Sequence, residues 1–105
     1  MLNQSFYVHH VFFWLANEGN ETDKAQLLKG IESLEAIKSV KGIHIGVPAN
    51  TDRPVIDTTY TFSLLLLFDT PELQEAYQVD PIHLKFVEEN KHLWSRVLIY
   101  DSIHP

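Results

Sequence analysis

The 105 residues predict an α+β domain, with antiparallel strands in one sheet and helices stacked on one side of it. Two observations carry this. Four short stretches are dense in aromatic, β-branched or leucine residues, which suit a pleated surface. Between them, 22–38 and 69–92 repeat apolar residues at helical spacing or carry helix-start signals.

The first strand is Ser5–Leu15. Its alternating faces are Phe6, Val8, His10, Phe12, Trp14 and Tyr7, His9, Val11, Phe13, Leu15. Both are mainly apolar, and a strand apolar on both faces needs cover on both sides. Asn17-Glu-Gly-Asn-Glu21 reads as a turn. Thr22–Lys38 is a helix with Leu27, Leu28, Ile31, Leu34 and Ile37 on one stripe. Thr22 or Asp23 is its expected N-cap, with Asp23-x-x-Gln26 resembling a capping box. Gly30 inside it costs about 1 kcal/mol against Ala and reads as tolerated rather than as a mark of close packing.

Val40–Val47 is the second strand, with glycines suited to a bulge or a close approach, and Pro48–Pro54 is a loop. Thr59–Phe68 is the third strand, with Tyr60, Phe62, Leu64, Leu66 and Phe68 against Thr61, Ser63, Leu65 and Leu67. Asp69-Thr-Pro-Glu72 starts a helix running to about Tyr77. Asp80-Pro81 starts another, with Asp80 as N-cap and Pro81 at the first helical position, running to about His92. Arg96–Tyr100 is the last strand, preceded by Trp94. The order β-α-β-β-α(α)-β is the ferredoxin-like pattern. Helices cover one sheet face only. The other is expected to present Tyr7, Val11, Phe13, Leu65 and Leu67, too much apolar surface for a soluble monomer. A homodimer packed through that face, or closed into a dimeric α/β barrel, solves the problem.

Composition narrows the function classes. With 45% apolar and 21% charged residues the chain is an ordinary globular one, and 1–105 reads as a single domain. The absence of cysteine excludes disulfides, thiolate metal sites and a cysteine nucleophile. Eight Lys and Arg against fourteen Asp and Glu leave a formal charge of −6, which argues against nucleic acid as a partner. Met1–Ser5 has no basic, apolar leader pattern and no stretch is long enough to span a membrane, so a soluble cytoplasmic protein is expected. No nucleotide-binding glycine motif is present, so no cofactor is expected. The six histidines lack metal-ligand spacing, so no metal site is expected either.

Several features together resemble one family. These are His10 in an apolar first strand, Tyr60-Thr-Phe in a strand ending Phe68-Asp, Glu75-Ala-Tyr77 followed by Asp80-Pro-Ile-His83, and Leu93-Trp through Tyr100-Asp101. Over about Phe6–Asp101 the chain resembles the stress-responsive dimeric α/β-barrel (Dabb) family. The resemblance implies a ferredoxin-like protomer whose sheet forms a barrel with a two-fold mate. It includes plant polyketide cyclases that close a ring by aldol condensation, whose Tyr and His acid/base pair fall on Tyr77 and His83. Where those cyclases carry a second strand-borne His this chain has Phe62, which argues for a smaller ligand or none.

His83 is the third residue of its helix, where the positive helix end and apolar Phe86 and Val87 favour a neutral ring able to accept a proton, while Asp80 or Glu88 nearby would act in the opposite direction. Tyr77 can hold that ring or donate to a carbonyl or enolate oxygen. His10, Trp14, Phe62, Leu64, Phe86 and Trp94 are expected to line an apolar pocket beneath the helices, with His9 turned to the dimer face. His44, His92 and His104 read as surface or edge residues. The leading expectation is a module binding a small apolar or carbonyl ligand. A cofactor-independent cyclase or isomerase using His83 and Tyr77 is the alternative, with a cofactorless monooxygenase behind it on fold analogy alone.

Overall fold

A computed structural model describes residues 5–105; the leader reading at residues 1–4 lies outside them. The elements are β1 (Tyr7–Leu15), α1 (Glu21–Ser33), β2 (Gly42–Gly46), β3 (Phe62–Phe68), α2 (Pro71–Val79), α3 (Pro81–Asn90) and β4 (Trp94–Ser102). The strands form one antiparallel sheet in the order β2-β3-β1-β4. This is the expected ferredoxin-like α+β arrangement.

The helix starts follow capping chemistry. Asn20, not Thr22 or Asp23, caps α1: its backbone is still extended and its side chain accepts from Asp23 N at 3.0 Å. The turn before it needs Gly19 at φ 85°, a conformation glycine adopts without a Cβ penalty. Thr70 caps α2 and Asp80 caps α3, each with proline just inside the helix. Asp80 accepts from Ile82 N at 2.8 Å. The apolar stripe of α1 holds, with Leu27, Ile31, Leu34 and Ile37 buried and Leu28 half-buried. Gly30 is a point of close packing: a Cβ there would stand 2.8 Å from Asn90 Nδ2 and 2.9 Å from Asn90 Cγ. Asn90 is buried and donates to Phe86 O at 2.9 Å, so α1 and α3 approach because residue 30 has no side chain.

The sheet corrects one expectation. Residues paired directly across strands share a face. β1 pairs with β3 as Tyr7↔Phe68, His9↔Leu66, Val11↔Leu64 and Phe13↔Phe62. His9, Val11, Phe13 and Leu15 are buried with Phe62, Leu64, Leu66 and Phe68 beneath the helices. His10 and Trp14 therefore lie on the side without helices, and Tyr7, Val11 and Phe13 do not. The third strand's faces are as expected; the first strand's are inverted. Alternation defines two faces but not which one turns inward, and here both are apolar. The open face carries Val8, His10, Phe12 and Trp14 with Leu65, Leu67, Leu98 and Tyr100. Phe12 meets Tyr60 and Tyr100 edge-on, and Arg96 sits over the Trp14 ring at 4.3 Å.

Candidate functional site

Tyr77 ends the buried stripe of α2, and its side chain is 2% exposed. Its ring lies 5.4 Å from Phe68, 5.7 Å from His9 and 4.5 Å from His83, centre to centre. Burial pushes its hydroxyl well above the usual tyrosine range, so at neutral pH it is a proton donor. Among the described residues that hydroxyl has no hydrogen-bond partner, and it is not one of the fully buried unpartnered atoms, so the oxygen keeps some contact with solvent although the ring does not.

His83 stands in the first turn of α3, placed by the Asp80 cap and Pro81. Its Nδ1 is 3.1 Å from the Gln78 carbonyl, which can only accept, so Nδ1 carries the hydrogen and Nε2 keeps a free lone pair. Burial holds its pKa below the ordinary 6.5, and the charge of His9 adds to this. The Gln78 hydrogen bond and Asp80 push the other way without reversing it. The ring is neutral at pH 7, the form a general base requires.

His9 joins this pair from β1. It is 3% exposed, and its Nδ1 lies 2.5 Å from Asp101 Oδ1 on β4, directly across the ladder. The Asp101 side chain is 41% exposed, so the cluster runs from a buried tyrosine to a carboxylate in contact with solvent. Tyr7 lies beside the same carboxylate; burial, and then Asp101, hold its hydroxyl above the usual range.

Of the residues expected to form the site, the structure brings His83 and Tyr77 together. It places Phe62, Leu64, Phe86 and Trp94 on the same side of the sheet. Phe62, Leu64 and Phe86 are buried in the core, and Trp94 stacks on Phe86 at 5.7 Å. They fill the space expected to be a hollow. His10 and Trp14 are not part of it: His10 packs on Phe12 at 4.4 Å on the open face, and Trp14 Nε1 donates to Thr59 there. A groove of about 740 Å³ lies between α1 and α3, but of the expected residues only Phe86 lines it, and neither Tyr77 nor His83 does.

Exposed apolar side chains flank the pair on the helices, at Val79 and Leu84, and continue on β4. Val97 and Ile99 pair with Phe13 and Val11, which puts them on the helix side, yet they are 41% and 47% exposed. The helices cover the rest of the sheet more fully than this edge. His9 and Asp101, which join the cluster, and the exposed Val97 and Ile99 are candidates that the sequence did not single out. One signal pointed to His9: the opposite face carries Trp14, a residue type rarely buried completely. Among the described residues no three His, Asp or Glu side chains gather in a group able to hold a metal. No helix among them is long and apolar enough to cross a membrane.

Residues 8–104 match the stress responsive A/B barrel domain. A Dabb family protein with a ferredoxin-like fold from Mesorhizobium loti superposes with a TM-score of 0.78 at 22% identity, over 95% of this chain and 97% of the other. A dimeric protein of unknown function and ferredoxin-like fold from Bacteroides fragilis gives 0.74 at 20%, over 97% and 99%. The hydroxynitrile lyase of Passiflora edulis gives 0.77 at 16%, over 96% and 94%. At these identities the likeness is one of fold. A search of curated proteins finds no match.

Proposed function

Because the chain belongs to the stress responsive A/B barrel domain family, we propose that it is a homodimeric module holding a small, largely apolar carbonyl compound at Tyr77 and His83. The observation that carries this is the pair itself: a tyrosine hydroxyl with no protein partner among the described residues, beside a histidine kept neutral with its free nitrogen available. A carbonyl oxygen satisfies the hydroxyl. The apolar body rests on Val97 and Ile99, with Phe86 and Trp94 behind it. The ligand therefore lies on a shelf at the sheet edge rather than in a deep hollow.

The dimer forms through the open sheet face. Val8, Phe12, Trp14, Leu65, Leu67, Leu98 and Tyr100 make it apolar, and the similar proteins from Bacteroides fragilis and Thermobifida fusca are dimeric. Pairing buries more than about 1,200 Å² in total, the lower bound of a stable interface. Sedimentation at micromolar concentration showing only monomer removes this part of the reading. The ligand part is tested by titrating acetophenone while following the His83 imidazole and the Val97 and Ile99 methyl resonances. Shifts at all three support it, and none at millimolar ligand refutes it.

The histidine tautomer also favours a second reading, proton transfer without a cofactor. His83 Nε2 takes a proton from the carbon next to the carbonyl as the Tyr77 hydroxyl hydrogen-bonds the oxygen that becomes an enolate. Delivering that proton from the His83 imidazolium to a different atom or face of the enolate completes an isomerisation; alternatively the enolate carbon attacks a second carbonyl, and the alkoxide so formed takes the proton back from His83 to give the aldol product. Deuterium exchange at that carbon in heavy water, abolished by His83→Ala in a folded protein, is the expected result. Unchanged exchange in that variant rejects His83 as the base.

A further inference from the structure

The open sheet face carries a row of side chains unlike the rest of its surface. His10 on β1 pairs with Leu65 on β3, and Leu65 pairs with His44 on β2. On its other flank His10 pairs with Tyr100 on β4. The row across the sheet is therefore His44, Leu65, His10, Tyr100, all on one face. His10 is half-buried even in the single chain, against Phe12.

The charged groups around this row are few. β1 adds none on this face, where Val8, Phe12 and Trp14 are its other residues. β2 contributes His44 between Gly42 and Gly46, and β3 contributes Ser63, Leu65 and Leu67. β4 contributes Arg96, Leu98, Tyr100 and Ser102. The loop before β3 brings Tyr60 against Phe12, and Asp57, which feels the charge of Arg96. Asp57 is committed to Thr59, whose hydroxyl and N–H donate to it at 2.6 and 2.8 Å. It acts near Arg96, opposite Trp14, four residues along β1 from His10. At strand rise that is about 13 Å, beyond the reach of an unscreened counter-ion at physiological salt. Asp101 faces the other side with His9. Within the strands, the open face has two imidazoles and a guanidinium but no carboxylate.

We infer that this face is a proton-gated self-association surface: two copies of the chain pair through it near neutral pH and separate in mild acid. The inference rests on the dimer reading above. Pairing covers the apolar residues and takes His10 and His44 further from water. A neutral imidazole tolerates this, but a protonated one meets another cation, a partner bearing the same charges and no counter-ion. In the single chain burial, and then the His44 charge, already lower the His10 pKa from 6.5. A group depressed further in the dimer contributes association that is fully present above its free value and is lost as pH falls below it.

The test is sedimentation of the full chain at about pH 7.5 and about pH 5, the range over which histidine changes charge, with far-UV circular dichroism at both. If pairing depresses each of the two His10 rings by one further unit, the dissociation constant rises at the lower pH by up to about a hundredfold, the limit reached when the rings are protonated in both states. The His10→Gln/His44→Gln variant, with His10→Leu as a second, is expected to keep its neutral-pH dissociation constant at both. A wild-type constant that is the same at both pH values overturns the gate and leaves the dimer standing. Variants that separate in acid as the wild type does, or separation accompanied by loss of helical signal, also overturn it. A wild-type monomer at neutral pH removes both the dimer and the gate.

Discussion

Tyr77→Phe separates the two roles a buried tyrosine can have. The Tyr77 ring is 2% exposed and packs on Phe68, His9 and His83, so the ring itself holds the helix layer to the sheet. Removing the whole side chain, as in Tyr77→Ala, is expected to cost about 3–5 kcal/mol. Removing only the hydroxyl keeps every ring contact. A typical hydrogen-bonded hydroxyl is worth about 0.5–1.5 kcal/mol, but this one has no partner among the described residues. That oxygen is not among the buried unpartnered atoms, so Tyr77→Phe is expected to leave stability within about 0.5 kcal/mol of the wild type. Urea unfolding followed by circular dichroism measures this. The pH dependence gives a second check. The folded pKa is raised above the ordinary 10.0, so the native state keeps its proton where the unfolded chain loses it. Wild-type stability falls as pH rises past that value, and the Phe variant escapes this contribution. Affinity for acetophenone drops by up to about tenfold, since the carbonyl loses one neutral donor. A loss of more than about 1.5 kcal/mol would show that the hydroxyl serves the fold and refute the argument. An unchanged affinity would refute its role toward a carbonyl.

Three further outcomes are expected. Gly30→Ala gains about 1 kcal/mol of helix propensity in an Asn90→Ala background but loses that gain, or becomes destabilising, when Asn90 is present; equal gains in urea unfolding would refute the contact. Asp80→Ala removes the α3 cap bonded to Ile82 N and lowers unfolding free energy by about 1 kcal/mol, whereas a change below about 0.3 would show that Pro81 suffices. Ligand affinity at His83 is constant above pH 6.5 and weakens as pH falls through the lowered pKa of its ring; titration by NMR showing binding that strengthens in acid would reject the neutral base.

Much of this protein was legible along the chain. Asp80-Pro81 declares a helix start by local chemistry, and that start places His83 in the first turn, close enough to Tyr77 for the two to meet. The apolar stripe of α1 and the greasy third strand are equally local statements, and their side chains are where the alternation put them. Local signals misled at Asn20, because several capping residues stand side by side in Asn20–Asp23 and only the turn at Gly19 selects among them.

The sequence alone settled the order of elements, their types and the neighbourhood of Tyr77 and His83, since these depend on contacts a few residues apart. Tertiary structure decided which side of β1 looks inward, and with it the exchange of His10 for His9 and of Trp14 for Val97 and Ile99 as candidate site residues. It also decided that Gly30 is a contact, that Asp101 reaches His9 from another strand, and that the expected hollow is filled. The reason is physical. A strand with two apolar faces gains similar burial either way round, so its orientation is fixed by partners distant in sequence, whose register no local pattern encodes.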